Sequence, residues 1–464
     1  MEAAYDLVVL GAGSGGYACA LRAAQLGLNV ALVESDLVGG TCLHRGCIPT
    51  KAYLHAAEVA DAARGGAQFG VHATLERVDL GEVRGYADAV VSRLYKGLTG
   101  LIKQRGITVV AGSGRLDGGD PPAVVVGPDR LTAPAIVLAT GSTSRSLPGL
   151  TIDGERVLTS DHALRLEKLP ASAIVLGGGV IGVEFASAWR SFGTEVTVVE
   201  ALPRLVPNEE PEVSAALQRA FRKRKITAVT GQGFARASTA TDGVQVTLAD
   251  GTELAAEILL VAVGRGPVSA GMGFEECGVE LDRGFVRTDG RLATSAPGVY
   301  AVGDLVFGLQ LAHRGFAQGI FLAEDIAHRA GRLDRAPAPI LDRDIPRVTY
   351  SDPEIASVGL GEAAAREEYG QIETLTYDLG GNGKSQILKT AGFVKLVRRV
   401  DGPVVGVHIV GARAGELIGE AQLITSWEAY PGDVAGLVHA HPTQNEALGE
   451  AHLALAGKPL HVHG

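Results

Sequence analysis

The strongest constraint on the fold is a pattern that occurs twice, 166 residues apart. The apolar run Tyr5-Asp6-Leu7-Val8-Val9-Leu10 leads into Gly11-Ala12-Gly13-Ser14-Gly15-Gly16 and a helical stretch through Gln25. Ala173-Ile174-Val175-Leu176 leads likewise into Gly177-Gly178-Gly179-Val180-Ile181-Gly182. A short unbroken apolar run suits a strand buried on both faces of a parallel sheet. The glycines then serve three needs. Gly11 and Gly177 permit a tight turn, Gly13 and Gly179 let backbone approach a pyrophosphate, and Gly16 and Gly182 let helix pack on strand. The helix N-terminus offers its free N–H groups to the phosphates. In each copy a second strand, 29–33 or 195–199, ends at an acid, Glu34 or Glu200, 23 positions beyond the first glycine. A carboxylate there accepts hydrogen bonds from ribose hydroxyls and repels a 2′-phosphate, so Glu200 points to NAD rather than NADP despite the nearby Arg204. One GxGxxG arises often by chance; two copies with matched spacing predict two dinucleotide-binding folds. The competing reading is that one copy is a degenerate fold without ligand.

A chain of 464 residues has room for roughly three domains of about 150 residues each. With 46% hydrophobic and 20% charged residues it reads as an ordinary globular protein. A net charge of -10 argues against nucleic acid, which needs a concentrated basic surface. The one basic run, Arg222-Lys223-Arg224-Lys225, reads as a solvated helix end. No stretch of 18 apolar residues suggests a membrane span. The strand pattern beginning at Tyr5 leaves no space for a signal peptide, so a cytoplasmic location is expected.

Four cysteines are present, and two of them stand five apart in Gly39-Gly40-Thr41-Cys42-Leu43-His44-Arg45-Gly46-Cys47-Ile48-Pro49-Thr50-Lys51. In a reducing compartment such a pair suits redox or metal chemistry better than a structural bridge. No second CxxC or histidine cluster at zinc spacing lies near it, so no metal is expected. Cys19 and Cys277 read as small buried or half-buried residues.

The whole cysteine string resembles the redox-active disulfide motif of the flavin-dependent pyridine nucleotide-disulfide oxidoreductases, roughly GGxCxxxGCxPxK, and the resemblance extends over essentially the full chain. It implies an α/β architecture of two Rossmann-like dinucleotide-binding domains, for FAD and NAD, plus a C-terminal α+β dimerisation domain. The layout suggests an FAD-binding domain over 1–147, an NAD-binding domain over 148–267, a segment over 268–341 that completes the FAD domain, and an interface domain over 342–464. The first copy is taken as the FAD site because the cysteine motif follows it closely. The resemblance implies that Gly11, Gly13, Gly16, Glu34, Thr41, Lys51, Gly114, Thr140, Gly141, Asp304 and Ala312 serve FAD. It gives Gly177, Gly179, Gly182, Glu184, Glu200 and Gly264 to NAD, with Lys51 paired to Glu184.

His439-Ala440-His441-Pro442-Thr443-Gln444-Asn445-Glu446 is similar to the family's HPTxxE motif. There His441 is the acid–base residue and Glu446 orients it. His439 receives no role. In relatives this histidine acts on the other subunit's disulfide, so a homodimer is implied. Gly392-Phe393-Val394-Lys395-Leu396, His408-Ile409-Val410-Gly411 and Ala414-Gly415-Glu416-Leu417-Ile418 fit the dihydrolipoyl dehydrogenase branch best. That branch implies dihydrolipoamide as substrate and a lipoyl-bearing acyltransferase or carrier protein as partner, with Cys42 meeting substrate and Cys47 facing flavin.

Two departures stand out. Asn445 replaces the usual serine, and His313-Arg314-Gly315-Phe316 replaces a stretch that usually contains alanine. Three other readings remain open. One is a reductase of a small disulfide, which would usually favour NADPH and basic substrate-binding residues. Another is mercuric reductase, which needs a C-terminal cysteine pair where this chain has Leu460-His461-Val462-His463-Gly464. The third is an interaction subunit of a multienzyme complex.

Overall fold

The computed structural model describes residues 2–461; Val462, His463 and Gly464 lie outside the described residues. The chain forms two compact units. One takes residues up to Tyr53, Gly81–Arg145 and Arg265–Asp342; the other takes Leu54–Leu80, Ser146–Gly264 and Arg343 onward. No helix among the described residues is long and apolar enough to cross a membrane.

In the first unit Leu7–Leu10 is the middle strand of a five-stranded sheet. The order is Val299–Ala301, Ala135–Leu138, Leu7–Leu10, Val30–Glu34, Thr108–Ala111, with every neighbour parallel. Its side chains alternate between two cores. Leu7 and Val9 pack with Ala20, Ala23 and Leu322 of the helices Ser14–Gln25 and Ala312–Arg329. Val8 and Leu10 pack with Leu116, Val124 and Leu131 of a small sheet on the other face. Both faces are therefore dry, which is why the run is apolar without alternation. Each such side chain contributes roughly 1.5–3 kcal/mol of burial.

The two helices approach closely because both present small residues. A Cβ on Gly319 would lie 2.3 Å from the Gly15 carbonyl oxygen, and one on Gly315 would lie 3.0 Å from Ser14 Oγ. The unusual Gly315 thus has a packing reason. Phe316 beside it meets the ring of Tyr17 at 5.5 Å between centroids.

The second unit repeats the plan. Ser172–Leu176 lies between Ile258–Val261 and Glu195–Glu200 in a parallel five-stranded sheet. The register is also repeated: Leu7 faces Val30 in the first sheet, and Ala173 faces Val196 in the second. The same unit carries a five-stranded antiparallel sheet, in the order Arg347–Thr349, Glu354–Gly359, Val404–Gly411, Phe393–Arg399, Ile372–Asp378. The helices Ala414–Ser426 and Glu446–Leu455 supply Leu417, Ile418, Ala447, Leu448 and Ala451 to its core.

The nucleotide-type sheet and the antiparallel sheet of this unit are joined through charge. Lys395, 2% exposed, donates to Glu210 at 2.7 Å and to Glu212 and Glu362 at 3.0 Å each. Arg347 pairs with Glu209 at 3.2 Å, and Ser357 Oγ donates to the same carboxylate at 2.6 Å. Burial alone would lower the Lys395 pKa, but the three carboxylates raise it above the usual lysine range. The basic run also departs from a plain solvated end. Arg222, Lys223 and Lys225 are exposed, whereas Arg224 is half-buried and donates to Asp61 at 3.1 Å and Ser191 Oγ at 2.6 Å.

Removing one member of a buried ion pair costs more than the pair itself contributes, because a desolvated charge is left behind. Lys395→Met is expected to destabilise the protein by about 3 kcal/mol, the low end for such losses, since Glu212 and Glu362 are partly exposed. The midpoint of urea unfolding measures this. Adding Glu210→Gln should recover part of the loss; an unshifted midpoint in Lys395→Met would remove the cluster from the stability of the fold.

Candidate active site

The two glycine loops are the same object built twice. Gly11 and Gly177 have φ of +103° and +106°, and a Cβ at either would lie 2.4 or 2.3 Å from a backbone carbonyl oxygen, of Ala139 and Ala262 respectively. At Gly16 and Gly182 a Cβ would fall 1.9 Å from the carbonyl oxygen of Gly11 or Gly177. Gly13 and Gly179 differ: nothing lies within 4 Å of a Cβ there. Each of these two is the N-cap of its helix, with no side-chain cap and no acid in the first turn. Bare backbone, open space and uncapped N–H groups make a cradle that fits a phosphate.

The glutamates are fastened in matching ways. Glu34 accepts from the N–H of Ala12 at 2.8 Å and of Asp36 at 2.9 Å. Glu200 accepts from Gly178 at 2.7 Å and Leu202 at 2.8 Å. Each carboxylate is thus tied to its own glycine loop at the end of the neighbouring strand, the place where a ribose would meet it.

The cysteine segment rests on the first loop. Gly39 N–H donates to the Ala12 carbonyl at 2.8 Å, and a Cβ on Gly40 would lie 2.7 Å from Gly13 Cα. Their φ values of +109° and +59° let the chain turn directly into the short helix Gly40–His44, which holds Thr41 and Cys42. Cys47 opens the helix Cys47–Gly65, which also carries Lys51. Both side chains are half-buried thiols. A hydrogen bond with Cys47, then burial, push the Cys42 thiol far above its ordinary pKa, and the charge of Lys51 opposes them.

The remaining residues assigned to the first fold cluster in the same unit. Thr140 Oγ1 donates to Val268 O at 2.5 Å, and the Gly141 carbonyl accepts from Val268 N at 2.9 Å. Asp304 accepts from Ser142 Oγ at 2.5 Å, and Ser142 Oγ in turn accepts from Arg265 Nε at 2.8 Å. Ala312 opens its helix without a side-chain cap. Gly114 has a packing reason, since a Cβ there would sit 2.8 Å from Leu10 Cδ1 and 2.9 Å from Val33 Cγ1. In the second unit, Glu184 is 2% exposed and accepts from Tyr350 N–H at 2.9 Å, while Gly264 has a φ of +105° and a Cβ there would meet nothing within 4 Å.

His441 and Glu446 come together as the motif suggests. His441 Nδ1 is 2.8 Å from Glu446 Oε1, and Thr443 N–H donates to Glu446 Oε2 at 2.7 Å. Burial would raise the pKa of Glu446, yet these two partners hold it below the usual carboxylate range. The carboxylate therefore stays ionised at neutral pH and loses this hold only as pH falls through its lowered pKa. The His441 side chain is 78% exposed. The His441–Pro442 peptide is cis.

Sequence reading missed Tyr17 and Gln318. Burial, then the charges of Cys42 and Cys47, push the Tyr17 hydroxyl up to about 12, so the hydroxyl lies within electrostatic range of both sulfurs. Gln318 accepts from Gly303 N–H at 2.8 Å and so holds the turn before Asp304. Tyr17 stands next to Gly16, and only that adjacency in sequence could have drawn attention to it.

The glycine geometry separates fold from binding. Gly182→Ala should lower the unfolding midpoint, costing about 1–3 kcal/mol by overpacking against Gly177. Gly179→Val should keep the midpoint and raise the KM for NAD⁺ roughly tenfold, about 1.4 kcal/mol. Equal damage to stability in both variants would refute the separation.

Comparison with known proteins agrees with this geometry. The profile described as pyridine nucleotide-disulphide oxidoreductase matches residues 5–319, and that of its dimerisation domain matches residues 345–452. A dihydrolipoyl dehydrogenase of Chlorobaculum tepidum is 41% identical over 461 residues, covering 97% of each chain. One of Bacillus subtilis is 38% identical, covering 99% of this chain and 100% of the relative. The crystal structure of LpdA from Mycobacterium tuberculosis superposes with a TM-score of 0.90 at 27% identity, over 98% of this chain and 99% of that one. The chain belongs to the pyridine nucleotide-disulphide oxidoreductase family.

Proposed function

We propose that the protein oxidises protein-bound dihydrolipoamide to lipoamide with NAD⁺ as acceptor, as the dehydrogenase component of a 2-oxoacid dehydrogenase or glycine cleavage system. The observation that carries this reading is the dithiol seated on the first of two nucleotide loops through Gly39 and Gly40. FAD would be held by Gly11, Gly13, Gly16, Glu34, Thr41, Lys51, Gly114, Thr140, Gly141, Asp304 and Ala312. NAD⁺ would be held by Gly177, Gly179, Gly182, Glu184, Glu200 and Gly264. When bound, FAD supplies the two-electron link between the dithiol and the nicotinamide.

The protein's own part is thiol–disulfide exchange. The partner subunit's His441 takes the proton of one substrate thiol, because the thiolate is the attacking form. That thiolate attacks Cys42, the Cys42–Cys47 bond breaks, and Cys47 leaves as a thiolate. The second substrate sulfur then displaces Cys42 and closes the lipoyl ring. The substrate loses two electrons and two protons. One proton remains on His441; the other goes to Cys42, whose raised pKa favours holding it. Glu446 fixes the imidazole by its Nδ1 edge and leaves Nε2 for the substrate thiol.

A homodimer follows from the same reading and has support in the surface. Leu437 and Val438, 60% and 98% exposed, stand just before His441 in the chain, and Leu423 and Trp427 of the same C-terminal region are also exposed. Such uncovered apolar area favours association. A lipoyl-bearing acyltransferase or carrier protein is the partner in this reading, and the setting is cytoplasmic.

His441→Gln should retain FAD and NADH-dependent ferricyanide reduction while dihydrolipoamide oxidation falls about 10²- to 10⁴-fold. Unchanged lipoamide turnover would remove His441 from the mechanism. Val438→Arg should shift the protein toward monomer in sedimentation and lower lipoamide turnover in parallel; a fully active monomer would refute exchange between subunits.

A further inference from the structure

One carboxylate outside the proposed catalytic set grips the His441 segment at both ends. Glu420 lies on the helix Ala414–Ser426. Its Oε1 is 2.8 Å from Nε2 of His439, and its Oε2 accepts a hydrogen bond from Nδ2 of Asn445. His439 stands two residues before His441, and Asn445 immediately before Glu446. Glu420 therefore spans the stretch whose internal spacing sets the His441–Glu446 hydrogen bond.

The surroundings fit such a grip. The His439 ring packs against the bare Cα of Gly449, where a Cβ would lie 2.6 Å from Nδ1. His452, fully buried on the same helix as Gly449, bonds through Nδ1 to the Leu448 carbonyl at 2.6 Å and has no partner at Nε2. Burial first keeps its pKa low, with the charge of Glu420 opposing. Within the segment the bonds are local: His441 to Glu446, Thr443 N–H to Glu446, and Thr443 Oγ1 to Ala440 O at 2.7 Å. Local bonds hold its shape and leave its placement to tethers from elsewhere. Asn382, which donates to Thr443 O at 3.0 Å, and Glu420 are such tethers among the described residues. Asn445 has the reach and the donor to meet Glu420.

We propose that Glu420 is a positioning residue for the acid–base step, acting through His439 and Asn445 to hold His441 and Glu446 at hydrogen-bonding distance. The inference rests on His441 being the base. Small misplacements of a catalytic group are costly in rate, so Glu420→Ala in the FAD-loaded dimer should lower kcat for dihydrolipoamide oxidation roughly 10- to 100-fold. Ferricyanide reduction by NADH and the KM for NAD⁺ should stay as in the wild type. Glu420→Gln, which can still accept from Asn445, should restore most of the rate. Wild-type kcat in Glu420→Ala would overturn the proposal, as would equal losses in both reactions. If the wild-type protein fails to oxidise dihydrolipoamide, the functional reading falls. The clamp is then read separately by NMR of ¹³C-labelled histidine, where an unshifted His441 ring signal in Glu420→Ala overturns it.

Discussion

The rest of the molecule depends on the contact between the backbone at Gly16 and the carbonyl of Gly11, and on its twin between Gly182 and Gly177. A single added carbon would lie 1.9 Å from that oxygen in both places. Only a bare Cα allows the helix to leave the strand so tightly, and the tight exit keeps the helix N-terminus open above the loop. The Glu34 and Glu200 carboxylates are fastened to the same loops, and the cysteine segment stacks on the first of them. A displaced turn would therefore disturb the open helix N-terminus, the loop-bound carboxylate and the dithiol together.

Duplication gives the chain two such sites, and their surroundings differ. The first loop is covered by the Gly39–Gly40 turn and by the close-packed helix Ala312–Arg329. The second lies in the unit where Lys395 ties its sheet to the antiparallel C-terminal sheet through Glu210, Glu212 and Glu362. Those charges are buried at a desolvation cost that only their mutual hydrogen bonds offset. The same C-terminal region presents His441 to solvent beside large exposed apolar side chains, an arrangement that makes sense when a second copy lies against it.

Much of the site could be read from residue order because its parts are local. The strand–loop–helix units span about two dozen residues each, and the helix Ser14–Gln25 ends at the residue the sequence pattern gives it. His441 and Glu446 lie within one turn and the start of one helix, so their 2.8 Å pairing follows from short-range geometry. The less legible parts join distant residues. Tyr17 comes within electrostatic range of the two cysteines, Gln318 holds a turn 15 residues away, and Glu420 meets Asn445 across 25 residues. Arg224 looked like one of four solvated cations, and its partners Asp61 and Ser191 lie more than 30 residues off.

The sequence by itself determined two nucleotide-type folds, a cysteine pair and a histidine–glutamate pair, because steric limits on glycine and short spacings act within a few residues. Tertiary structure decided which small residues pay for helix packing, which charges are buried, and how the histidine segment is gripped. Those outcomes depend on contacts between segments far apart in the chain, where burial and hydrogen-bond geometry exist only after the elements have packed.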